Sequence, residues 1–266
     1  MNYINSVLEL NRLLGLRFIW DGEEYKSVGA RTPIGEAVIM IGVFHNERDY
    51  ISRNVEIAKL MMLVKDLQTI EKHDPILLSR FKKLICNTRK DWGTYFGVRL
   101  EINIAASLIR KEVNFVKGES PDFIIPKYGV CIECTNTHRS KSGSAILIEK
   151  IRSAIKQKSK KTYCNSSTLL CIDITNVAAT YDESENRLLA QKDGLRRVVR
   201  QILEDTSSNY GGILLFQYFM DLEDCFHSGY WRVDNENISP SLLAFLNEYF
   251  PLGEFKTGPG WTPRAG

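Results

Sequence analysis

The sequence predicts an α/β protein: a mixed central sheet flanked by helices, preceded by a mainly helical N-terminal region over residues 1–90. Three observations carry this reading. From Trp92 onward, segments with apolar residues three and four apart alternate with short apolar runs, the order expected of helices laid on a sheet. Two such runs, residues 121–125 and 130–135, are joined by Pro126, Lys127, Tyr128 and Gly129, which reads as a hairpin. Before residue 90, helical spacing dominates.

The elements follow in order. In the first region, residues 4–14 form a short amphipathic helix, 38–43 a buried strand, and 55–70 and 75–86 two further helices. His45, Asp49 and His73 are scattered and form no catalytic set. Three roles are open to this region: reading a nucleic-acid sequence, holding a homodimer together, or extending the core. The second region, residues 91–266, begins with a helix over 95–112, a turn at 117–120 and the hairpin. A loop rich in Thr, Ser and Asn then leads to a helix from 145 to about 161, a strand at 169–175, a helix at 186–204 and a strand at 212–218. An edge strand at 230–233, a helix at 239–250 and a Gly/Pro-rich end at 258–263 complete the chain.

Composition narrows the class. With 44% hydrophobic residues among 266, the chain can bury a substantial core. Residues 1–16 carry Glu9 and Arg12 among their apolar positions, which is neither a secretory signal nor a membrane span, and the longest apolar run, 37–44, is too short to cross a bilayer. A soluble, cytoplasmic protein is expected. Six cysteines without a signal segment suggest free thiols rather than a disulfide framework. Cys131 and Cys134 form a CxxC, but residues three apart on a strand point to opposite faces, so small buried side chains explain them better than zinc. Net charge is only +3, yet six basic residues and no acid lie between Lys150 and Lys161, a local stripe able to track phosphates.

The chemistry concentrates at the hairpin. If the four residues 126–129 form the loop, Ile125 pairs with Val130, and stepping back pairs Asp122 with Glu133, their Cβ atoms roughly 5 Å apart. Two carboxylates that close repel unless they share a proton or a hard divalent cation such as Mg²⁺; the metal is the working reading. The flanking helices each break their apolar arc toward this point. On the helix before the hairpin, at about 100° per residue, Val98, Ile102, Ala105, Leu108 and Ile109 line one arc, and Glu101 falls inside it. On the helix after it, Ile148, Ile151, Ala154 and Ile155 define the arc and Lys158 projects into its middle. A buried charge needs a partner, so both should meet an opposite charge, a donor or a metal.

These residues resemble the PD-(D/E)XK, or restriction-endonuclease-like, nuclease superfamily. Its pattern is a helix carrying Glu, a Pro-Asp opening one strand and a Glu-x-Lys on the next. Here Glu101, Pro121-Asp122 and Glu133-Cys134-Thr135 fall in that order, with the resemblance covering roughly residues 92–220. It implies a restriction-endonuclease-like core in which Asp122 and Glu133 bind Mg²⁺ or Mn²⁺ and Glu101 completes or orients the shell. It also implies phosphodiester hydrolysis, with DNA as the partner in restriction, mobile-element or repair chemistry. Thr135 stands where the family has lysine. Lys158, from the following helix, is the first candidate for that role and Lys150 the second. Thr135, Gln157 and His138 are placed to touch substrate.

A degenerate nuclease that binds nucleic acid or protein without cutting is the alternative, and the missing motif lysine supports it. An unrelated α/β enzyme has little behind it: no Gly-rich phosphate loop, Gly-x-Ser-x-Gly elbow or His-Glu-x-x-His helix occurs.

Overall fold

A computed structural model describes residues 3–20, 25–27, 32–43, 50–87, 91–137, 147–175, 194–220 and 226–252. Within them the protein is mixed α/β, with eight helices, a two-stranded ribbon and a six-stranded mixed sheet. The chain divides into two compact units, Met1–Glu112 with Met220–Phe226, and Val113–Phe219 with His227–Gly266.

The first unit holds α1 (Tyr3–Leu14), the ribbon β1 (Phe18–Trp20) and β2 (Tyr25–Ser27), α2 (Pro33–Val43), α3 (Tyr50–His73), α4 (Pro75–Cys86) and α5 (Trp92–Arg110). The strand expected at 38–43 is instead the second half of α2. A short, uniformly apolar run has no periodicity to separate a strand from a buried helix, and the start signal lies outside it. The Thr32 carbonyl accepts from Glu36 N at 2.8 Å and its hydroxyl from Gly35 N at 3.2 Å, with Pro33 at the first helical position. Caps set two other starts. Asp74 accepts from the amides of Ile76 and Leu77 ahead of α4, and Asp91 from Gly93 N, so α5 begins three residues before its apolar periodicity does. Inside this unit Asp66 on α3 is buried, accepting from Arg110 Nη1 at 2.8 Å and Asn103 Nδ2 at 2.9 Å, both on α5.

The second unit is built on the sheet, in the order β3 (Val116–Lys117), β4 (Phe123–Ile125), β5 (Val130–Asn136), β6 (Thr168–Asp173), β7 (Gly212–Met220) and β8 (Phe226–Asp234). The first three strands are antiparallel neighbours, whereas β5, β6 and β7 run parallel. Parallel neighbours need a crossover, and α6 (Leu147–Lys158) and α7 (Gly194–Asp205) supply the helices of the two. The expected hairpin register holds: Ile125 pairs with Val130 and Phe123 with Ile132. In its loop Tyr128 N and Gly129 N donate back to Ile125 and Pro126, and Gly129 takes the left-handed φ of 61° that closes the turn. The edge strand expected at 230–233 falls in the second half of β8. β3 takes in Lys117, the first residue of the expected turn at 117–120, because a strand of two residues is too short for an alternation to show.

Both faces of the sheet are covered where it is parallel, and every residue of β6 is buried. Ile151 and Ile155 of α6 and Val199 and Ile202 of α7 pack with Leu170, Ile172, Ile213 and Leu215 on one face. On the other lies α8 (Pro240–Tyr249), capped by the Ser239 hydroxyl accepting from Leu242 N. It comes so close that a Cβ on Gly212 would stand 3.3 Å from Leu246 Cδ1 and 3.6 Å from Leu169 Cδ1. The described cysteines Cys86, Cys131, Cys134, Cys164 and Cys171 are all free.

Candidate active site

Asp122 is placed by an interrupted ladder. β4 and β5 pair as far as Phe123 and Ile132; one step on, the chain bends through Ser120–Asp122 and no strand residue answers the next amide of β5. The Asp122 side chain does so, its Oδ2 accepting from Cys134 N at 2.7 Å in a buried bond. Its own carbonyl accepts from Gly118 N at 2.9 Å, which ties the bend to the end of β3. Lys117 approaches from that strand, its Nζ 3.5 Å from Asp122 Oδ1, 2.7 Å from the Gly118 carbonyl and 5.1 Å from the centroid of Phe123. Asp122 and Glu133 each lie one residue beyond the last pair of the ladder, Phe123 with Ile132.

Glu133 lies in the middle of β5 on the face covered by α6, with its side chain only 4% exposed. Two donors hold it. Lys158 Nζ, from the last turn of α6, is 2.5 Å from Oε1, and the Tyr163 hydroxyl, from the loop between α6 and β6, donates to Oε2 at 2.6 Å. Lys158 thus turns inward, as its place on the apolar arc predicted, while Lys156, Lys160 and Lys161 of the basic stripe are exposed. The Tyr163 hydroxyl in turn accepts from Ser120 Oγ at 3.0 Å. Burial, then its bond to Glu133, then the charges of Glu133 and Asp122 push the Tyr163 phenol well above its ordinary value of 10.0, so it stays a donor.

The other expected residues within the described chain lie on β5, α6 and α5. Thr135 is two residues beyond Glu133 on the same face of β5 and half-buried, as alternation requires. Gln157 is exposed, next to Lys158 on α6. Lys150 is half-buried about two turns nearer the start of that helix, roughly 12 Å along its axis. Glu101 stands half-buried on α5 in the first unit, and His138 lies outside the described residues. Sequence reasoning missed Lys117, Ser120 and Tyr163. Tyr163 sits in a short connection with no periodicity of its own, and Lys117 on a strand of two residues.

Oxygen ligands with no imidazole or thiolate suit a hard cation such as Mg²⁺ or Mn²⁺ rather than zinc. Each carboxylate offers about four lone-pair positions; Lys158 and Tyr163 take two of those on Glu133, and Cys134 N and Lys117 approach the two oxygens of Asp122. Among the described residues no group of three or more His, Cys, Asp or Glu side chains is gathered for an ion. The pair would therefore share it with water and substrate oxygens, as Mg²⁺ commonly requires.

No family model, curated protein or solved structure matches the chain. Among the described residues no helix is long and apolar enough to cross a membrane.

Proposed function

We propose that this chain is a divalent-metal-dependent nuclease that hydrolyses phosphodiester bonds in DNA, with a restriction-endonuclease-like core. The observation that carries the reading is the convergence of three side chains from three consecutive elements. Asp122 directly precedes β4, Glu133 lies on β5, the strand paired with it, and Lys158 of α6 reaches Glu133 at 2.5 Å. Asp122 and Glu133 would hold Mg²⁺ or Mn²⁺. When bound, the metal supplies a more acidic water and neutralises a non-bridging phosphate oxygen.

The chain's own residues do the rest. Lys158 brings the positive charge that Thr135 lacks and places it where charge develops during phosphoryl transfer. The Cys134 amide and Tyr163 hydroxyl fix the two carboxylates so that they need not reorganise as substrate arrives. Thr135, on the Glu133 face, offers a hydroxyl to a phosphate oxygen. Gln157, Lys150, His138 and the exposed lysines of the stripe would follow the strand.

The test is to incubate the protein with plasmid, single-stranded DNA and RNA in Mg²⁺ or Mn²⁺, beside Asp122→Ala, Glu133→Ala and Lys158→Ala variants. Cleavage by the wild type, lost in all three variants, supports the reading. A wild type that cuts nothing, or an Asp122→Ala protein that cuts as well, ends it. One observation favours a second reading: both oxygens of Glu133 already hold donors, and the motif position is threonine. Binding of DNA without cutting would then make the chain a nuclease-like binding module.

A further inference from the structure

The two carboxylates sit on different stretches of chain, Asp122 on the bend before β4 and Glu133 on β5, and a site that uses both must fix their separation. A short relay spans them. Ser120, two residues before Asp122, donates to the Tyr163 hydroxyl at 3.0 Å, and that hydroxyl donates to Glu133 Oε2 at 2.6 Å. The bonds share one direction: the phenol spends its only proton on Glu133 and so accepts from Ser120.

Tyr163 is itself anchored. The buried hydroxyl of Thr168, at the first position of β6, donates to the Tyr163 carbonyl at 2.6 Å, and Cys164 N donates to the Lys161 carbonyl at 3.0 Å. Thr168 pairs with Cys131, two residues before Glu133 on the neighbouring strand. The phenol therefore projects from a point fixed to the sheet beside the residue it holds. Lys158 takes the other oxygen of Glu133. An amine on four rotatable bonds restrains that carboxylate less than a phenol with two.

We infer that Ser120 and Tyr163 are positioning residues that set the distance between Asp122 and Glu133, and through it the affinity for the divalent ion and the rate of the chemical step. This rests on the nuclease reading of the pair. Tyr163→Phe keeps the ring and removes the relay; Ser120→Ala removes only its outer link.

The experiment measures Mn²⁺ affinity by calorimetry on the full chain without DNA, cleavage kcat and KM, and DNA affinity in Ca²⁺. It compares wild type, Tyr163→Phe, Ser120→Ala and the double variant. Tyr163→Phe is expected to lower Mn²⁺ affinity and kcat by about 10–100-fold, the range for partners that orient a ligand, with KM and DNA affinity unchanged. Ser120→Ala should act in the same direction but less, and should add nothing in the Tyr163→Phe background. Wild-type Mn²⁺ affinity in Tyr163→Phe, additive losses, or a loss confined to KM overturns the relay while a cleaving wild type keeps the nuclease reading. If the wild type binds Mn²⁺ but does not cut, the nuclease reading fails and the Mn²⁺ series still decides the relay. A wild type that neither binds nor cuts ends both. Should Tyr163→Phe lose its thermal transition, Ser120→Ala, at an exposed hydroxyl, decides the relay by its Mn²⁺ affinity alone: a fall supports it and no change overturns it.

Discussion

Asp66 in the helical unit and Glu133 in the sheet unit are both buried acids with two bonded donors, and the difference between them separates a brace from a site. Asp66 receives Arg110 and Asn103, both from α5, so its two bonds tie α3 to one neighbouring helix. Burial pushes its carboxyl above the ordinary value and Arg110 pulls against that. Glu133 receives Lys158 from α6 and Tyr163 from the loop beyond, and a second acid, Asp122, lies just before the strand that pairs with β5. A brace gains by keeping like charges apart. Asp122 has Lys117 Nζ 3.5 Å from Oδ1 as Glu133 has Lys158 at 2.5 Å, so the sheet unit holds two lysine-paired acids on neighbouring stretches of chain, each with a further donor.

The widest gap between the two is expected in activity. Glu133→Gln keeps the shape and removes the charge; cleavage should fall by at least about 100-fold, the worth of one charge-stabilising group in a closed site, with the fold intact by circular dichroism. Asp66→Asn should leave kcat/KM within about twofold, as expected for a group that touches no reacting atom. Equal losses in the two variants would erase the distinction. Lys158→Met sharpens it: cleavage should drop by about 100-fold, whereas Mn²⁺ affinity by calorimetry should hold or rise, because the amine occupies a Glu133 oxygen that an ion would use. A fall in Mn²⁺ affinity would mean that Lys158 serves only to hold the acid, as Arg110 holds Asp66.

Stability should run the other way. Asp66→Ala leaves Asn103 facing an apolar gap, while Arg110, whose side chain is 47% exposed, turns to water. The expected cost is therefore that of one buried unsatisfied group, about 1–3 kcal/mol, read from urea unfolding. A change below about 0.5 kcal/mol would show that this pair contributes as little as a surface ion pair.

Much of the sheet unit was legible because its hairpin, crossover helices and parallel strands differ in period, and period is what a sequence displays. The pairing of Ile125 with Val130 and Phe123 with Ile132 follows from four loop residues, and the inward turn of Lys158 from the arc formed by Ile151, Ala154 and Ile155. What escaped shares one cause: the signal lay outside the pattern. The start of α2 is set by Thr32 and Pro33, outside the apolar run 38–43. Lys117 lies on a strand of two residues, and Tyr163 reaches Glu133 from a connection whose course depends on the Thr168 hydroxyl. The Cys134 amide reaches Asp122 because β4 begins at Phe123, two residues after the expected strand start at Pro121.

The smallest effect concerns the aromatic floor under Lys158. Tyr210 is fully buried, donates to the Lys158 carbonyl at 3.2 Å, and is held above its ordinary value of 10.0, first by burial and then by neighbouring Cys164 and Glu133. A phenol that stays neutral in the native state but ionises when unfolded binds more protons folded than unfolded. Its contribution is complete below pH 10 and lost as pH rises above it, by up to about 1.4 kcal/mol per unit. Tyr210→Phe should cost about 1 kcal/mol at neutral pH for the lost hydrogen bond and then lose stability less steeply than wild type between pH 10 and 11. Tyr163, raised in the same direction, keeps part of the slope in both proteins. Parallel curves in urea titrations across that window would show that Tyr210 meets water in the native state, and the end of α6 carrying Lys158 would then be looser than the bonded acids of the helical unit.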